Sequence, residues 1–149
     1  FSFQSHIQDI IIAMTVHFTG KYLGNLRVQL KHGPSKSTIE TDAPVDNNGK
    51  GEKFSPTDML ASSLAACMLT IMGIVAQRDE IDLSEVTFNT RKDMTTDSPR
   101  RVSKISVEFH LPATLEQKQR IKLENAAKTC PVHHSLHPDI EQEIEFKYL

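Results

Sequence analysis

Positive charge is nowhere concentrated in this chain. Its 17 lysines and arginines stand against 19 aspartates and glutamates, for a net charge of -2. The basic residues are scattered and form no stripe, so nucleic acid is not an expected partner. Cysteine is nearly absent, with Cys67 and Cys130 the only thiols in 149 residues. A chain of this length buries roughly 70% of the surface its unfolded form exposes, so a core is available without disulfide staples. The amino terminus lacks a long apolar run: residues 1–13 (FSFQSHIQDIIIA) carry a short isoleucine stretch with no basic flank and no clear cleavage site. That is far short of the about 20 apolar residues a membrane span requires. Residues 1–13 are therefore read as an extension or arm, and 14–149 as a single domain. No membrane partner is expected, and two thiols without a signal peptide suit a reducing compartment, the cytoplasm.

What is present is a sequence of alternating and helical patterns without an internal repeat. Residues 15–18 and 26–31 favour strands, with 20–25 as the turn between them, and 38–41 offer a third strand of an antiparallel meander. Residues 42–53 (DAPVDNNGKGEK) are loop chemistry. A helix then opens at Ser55-Pro56, with serine as N-cap, proline at the first helical position and Asp58 closing an S-x-x-D capping box. Leu60, Leu64, Cys67, Ile71 and Ile74 recur every three to four residues, and alanines, methionines and Val75 leave almost no polar face before Gln77 and Arg78. Such a helix is expected to be buried nearly all round. A strand pair follows at 85–91 and 102–111, then a helix over 114–128 with a T-x-x-Q cap, and a closing strand at 144–148. This order predicts an α+β fold, and not a parallel βαβ array. One sheet covers only one face of the apolar helix, so an intertwined homodimer is the natural way to cover the other.

The two cysteines differ in setting. Cys67 shares a helical stripe with Leu64 and Ile71, which by itself predicts an inert core thiol unless a cation reaches it. Asp58 lies about 13 Å along the axis and half a turn away, so it cannot touch that sulfur but could anchor a cation that does. Arg27, Lys50, Lys53 and Arg78 are the candidates. Cys130 is followed by Pro131, which predicts a new helical turn over 132–136 with Cys130 as its N-cap. Free N–H groups there would lower the thiol's pKa. His133, His134 and His137 form C-x2-H-H-x2-H near Asp139, but no second Cys/His cluster completes a tetrahedral site, and no metal is expected.

The frames F-S-P-T-D-M-L-A-S-S-L-A-A-C-M-L-T around Cys67 and Cys130-Pro131 after it, together with D-A-P-V-D-N-N-G-K-G-E-K-F-S-P-T-D over 42–58, resemble the OsmC/Ohr family. These are the osmotically inducible and organic hydroperoxide resistance proteins, and the likeness to their general OsmC-like branch spans roughly residues 14–149. The resemblance implies an intertwined homodimer with two thiol sites at the subunit interface. It implies that Cys67 attacks an organic hydroperoxide and becomes a sulfenic acid, that Cys130 resolves it into a disulfide, and that a dithiol such as a lipoylated protein reduces the pair. No metal, haem, flavin or other cofactor is implied. The chain departs from the family's N-P-E motif, since Thr57 follows Pro56 and the acid comes only at Asp58. No arginine occurs between residues 28 and 77. Thr57, Asp58, Lys50 and Lys53 are thus the candidate supporting residues, with lysine in place of arginine. A second reading from a different class is a non-catalytic binder that holds a hydrophobic ligand at the dimer interface.

Overall fold

The computed structural model describes residues 15–149. The extension read in residues 1–13 lies outside the described residues. Two compact units divide the chain, one ending at Pro56 and the other running from Thr57 to Leu149.

The first unit is an antiparallel sheet of β1 (Phe18–Gly24), β2 (Arg27–His32) and β3 (Thr38–Thr41), followed by a loop with a short 3-10 turn at Val45–Asn47. The meander is as expected, but its first turn is not at 20–25. Gly20 and Tyr22 sit inside β1, paired with Leu30 and Val28. The chain reverses over Asn25 and Leu26 alone, whose φ values of 52° and 61° are both positive, as a type I′ turn demands. Glycine marked the turn in the sequence, whereas the structure uses Asn25 and a leucine that such a turn disfavours. A left-handed leucine costs about 1–2 kcal/mol. Leu26→Gly gives the turn the preferred asparagine-glycine sequence, and after glycine's larger chain entropy a gain of about 1 kcal/mol is expected. Thermal denaturation should register it as a Tm higher by about 2–4 °C.

In the second unit, α1 (Pro56–Arg78) packs with the sheet β4 (Thr87–Met94), β5 (Val102–Leu111) and β6 (Glu141–Tyr148), and with the helices α2 (Gln117–Ala127) and α3 (Pro131–Ser135). β4 pairs antiparallel with β5, and β6 returns parallel to β5 after the two helices. On β5 the residues Ile105, Val107, Phe109 and Leu111 are buried while those between them are half-buried. A bulge opposite Asp93 and Met94 shifts the register, so Val102 also lands on the core side. The fold is α+β, as the element order predicts.

The expectation that α1 is buried all round needs correction. Ala61, Leu64, Ala65, Met68, Met72 and Ala76 form one buried stripe in the core of this unit. Leu60 and Ile74, by contrast, are 37% and 43% exposed. One sheet covers one face of a helix, and Leu60 and Ile74 lie off that face. Length and composition alone would also let α1 pass as a membrane span, but its buried stripe gives it the place of a core helix.

Other boundaries moved as well: β1 runs over Phe18–Gly24 and not 15–18, and β6 begins at Glu141 and not at 144. β4 begins at Thr87, and not at 85, because the Ser84 N–H donates to Asp82 Oδ1 at 2.8 Å and the Val86 N–H to the Leu83 carbonyl, which hold those residues in a turn. α2 is capped by Glu116, not Thr114: the Leu115 N–H donates to the Pro112 carbonyl in a preceding turn, and the Glu116 N–H donates to Gln119 Oε1 at 2.9 Å, half of a capping box.

Candidate thiol site

Cys67 lies on α1 beside the buried stripe, half-buried and packed against the core. Its neighbour at the next position, Met68, is fully buried, so the thiol sits at the edge of the core and not at its centre. Cys130 is fully buried. As the sequence predicts, it is the N-cap of a short helix with Pro131 at the first helical position. Its Sγ accepts from the His133 N–H at 3.5 Å, a long, weak bond as sulfur acceptors make.

The fold brings these two thiols into one core and into electrostatic contact, although 63 residues separate them in sequence. The electrostatic consequence corrects the sequence reading of Cys130. Burial pushes its thiol pKa up, the neighbouring Cys67 thiol pushes it further, and the His133 and Val132 N–H groups pull against both without prevailing. Removal of the thiolate from water outweighs two peptide dipoles. Cys130 at rest is therefore a protonated, buried thiol.

Asp58 and Thr57 are brought together with a residue that the sequence reading missed. Lys92 of β4 sits 2.8 Å from Asp58 Oδ1 and donates to Thr57 Oγ1 at 2.5 Å, with its side chain only 17% exposed. The signal was in the pattern: Lys92 pairs with the buried Ile105, so it occupies a core-facing position of an alternating strand. A lysine there needs an anionic partner, and the acidic first turn of α1 supplies one where the helix dipole also favours it.

The other candidate cations have partners or positions of their own. In the first unit Lys53 pairs with Glu40 at 3.0 Å and holds that carboxyl below its usual range. Arg27 contacts Glu52 and lies 3.6 Å from the buried Asp42, whose Oδ2 accepts from the Glu52 N–H. Lys50 is exposed in the loop, and Arg78 is exposed at the end of α1. Among the described residues no three His, Cys, Asp or Glu side chains converge on a possible metal position. α3 ends at Ser135, which leaves His137 off the helical face that His133 would have shared.

The family model described as OsmC-like protein matches residues 49–145, well over half of the chain. The chain belongs to the OsmC-like family. A crystal structure from Psychrobacter arcticus 273-4, provisionally described as an osmotic stress induced and detoxification response protein, is 48% identical, with a TM-score of 0.82 over 87% of this chain and 93% of that one. Two OsmC-like structures of lower identity share the fold alone. The organic hydroperoxide resistance protein OsmC of Legionella pneumophila is 16% identical, with a TM-score of 0.70 over 89% of this chain and 96% of its own. A protein of Vibrio cholerae O1 biovar eltor, provisionally described as an organic hydroperoxide resistance protein and holding captopril in one of its active sites, is 17% identical, with a TM-score of 0.69 over 91% and 92%. No curated protein gives a significant match.

Proposed function

We propose that this OsmC-like protein reduces organic hydroperoxides with its thiol pair. The observation that carries the reading is that both thiols join one core, with Cys67 near enough to Cys130 to raise its pKa. Cys67 is the better candidate for the first attack, because it is half-buried whereas Cys130 is fully enclosed and protonated. The Cys67 thiolate attacks the terminal peroxide oxygen, the O–O bond breaks, and the alkoxide leaves as an alcohol after gaining a proton. Cys67 is then a sulfenic acid. Cys130 attacks that sulfur, water leaves, and the disulfide is returned to two thiols by a dithiol, of which a lipoylated protein is one class. Electrons and atoms balance on sulfur and oxygen alone, so the scheme requires no metal, haem or flavin. The named activities of the Legionella and Vibrio relatives support the substrate class.

The same reading includes a homodimer in the cytoplasm. The dimer's support is the apolar surface each unit leaves open: Phe18, Tyr22 and Ile39 on the first sheet, and Leu60 and Ile74 on α1. A second copy of the chain would cover it. That open surface also favours the second reading, a binder of a hydrophobic ligand without turnover. Steady-state consumption of an alkyl hydroperoxide with dihydrolipoate as reductant separates the two. Turnover is expected; its absence, with an apolar molecule co-purifying, would select the binder.

A further inference from the structure

The turn that carries Cys130 also carries a histidine whose hydrogen is placed by its surroundings. Gln142, on the core-facing side of β6, meets His133 twice. Its Nε2 donates to the His133 carbonyl oxygen at 3.2 Å. A carbonyl oxygen only accepts, so the amide has one orientation, with Oε1 turned toward the ring. That Oε1 lies 2.6 Å from His133 Nδ1. It too only accepts, so Nδ1 bears the hydrogen, and the neutral ring keeps its lone pair on Nε2. The groups set against the half-buried ring are the neutral Gln142, the His134 ring at 5.0 Å between centroids, and the turn containing the Cys130 thiol.

His133 is also the third residue of α3, for which Cys130 is the N-cap. Its peptide N–H already touches the sulfur. A buried, protonated Cys130 attacks poorly until something takes its hydrogen. We propose that His133, oriented by Gln142, is the proton acceptor that makes Cys130 a nucleophile toward Cys67. This rests on the thiol-pair reading for its place in turnover. The Cys130 proton passes to Nε2, and the freed sulfur pair forms the S–S bond with Cys67. The S–O bond of the sulfenic acid breaks, and the departing hydroxide takes the proton from Nε2 and leaves as water. Cys130 is oxidised and the Cys67 sulfenic acid is reduced, both to the disulfide level.

The step can be read without peroxide. In the reduced protein, 5,5′-dithiobis(2-nitrobenzoate) caps the more accessible Cys67 and releases one thionitrobenzoate. Attack by Cys130 then releases a second. In the wild type this second release is expected to be fast at neutral pH. His133→Leu should slow it about 100-fold at neutral pH, the low end of what general-base assistance supplies. Its pH dependence should shift upward to that of the unaided thiol, with the first release unchanged. Gln142→Leu should slow it about tenfold, whereas Gln142→Glu, which keeps an oxygen acceptor for Nδ1–H, restores the wild-type rate or better. An unaltered second release in folded His133→Leu overturns the proposal. So does a Gln142→Glu protein as slow as Gln142→Leu, a comparison that decides the matter even where His133→Leu does not fold. Slowed release in these variants alongside a wild type that consumes no hydroperoxide would refute the peroxidase reading and leave the role of His133 standing.

Discussion

Cys67→Ser is expected to abolish hydroperoxide consumption, lowering kcat/KM at least about 1,000-fold and to the background of free dithiol. A hydroxyl at this site cannot be ionised near neutrality, and Cys130 cannot take over the first attack. Its thiol is buried and its ionisation is disfavoured by removal from water and by the neighbouring Cys67 thiol. Cys130→Ser should behave differently. One equivalent of peroxide is still consumed as Cys67 becomes a sulfenic acid, which dimedone would trap, but no internal disulfide forms. The sign of the pH effect follows from the raised Cys130 pKa: closure of the disulfide slows as pH falls, because the protonated thiol is favoured further. A Cys67→Ser protein that matched wild type would remove the reaction from this residue altogether.

The largest effect on stability should come from Phe109→Ala. Phe109 is fully buried on the central strand of the second sheet. Its ring stacks on Phe146 at 5.5 Å between centroids and meets Phe88 edge-on at 6.0 Å. It therefore joins β4, β5 and β6 through side chains as well as through the ladder. Truncation removes the buried ring and leaves a cavity that neighbouring aromatics cannot fill without losing their own geometry, at a cost of about 3–5 kcal/mol. Domain stabilities are about 5–15 kcal/mol, so the loss is a large part of the total. Urea denaturation should show a lower midpoint with an unchanged slope. A loss under about 1 kcal/mol would mean that the ring is not packed as described.

How much of this the sequence made legible depends on the range of the force concerned. The Ser-Pro opening of α1 and the Cys130-Pro131 start of α3 are local chemistry, and both elements begin where the residues place them. The alternation of β5 is equally plain, because its core residues are all apolar. Leu26 hid the first hairpin, since a leucine at positive φ reverses the usual preference. The parallel pairing of β6 with β5 hid for another reason: pairing direction is a property of the whole connection and leaves no mark on the strand itself.

At the site, the two thiols were visible as residues but not as neighbours. The direction of the Cys130 shift depends on burial, a tertiary quantity that outweighed the local N–H groups on which the sequence reading relied. Lys92 could have been found as a lysine in phase with core positions. Gln142 could not, because nothing in E-Q-E-I-E-F distinguishes a glutamine that will clamp a histidine nine residues earlier.

The central claim is that the two sulfurs act in sequence on one peroxide. The most direct measurement is the mass of the fully reduced protein after one equivalent of an alkyl hydroperoxide, followed by alkylation and peptide mapping. The account predicts loss of two hydrogens, an internal peptide pair joined through Cys67 and Cys130, and no alkylated thiol. Two alkylated thiols and unconsumed hydroperoxide would contradict it.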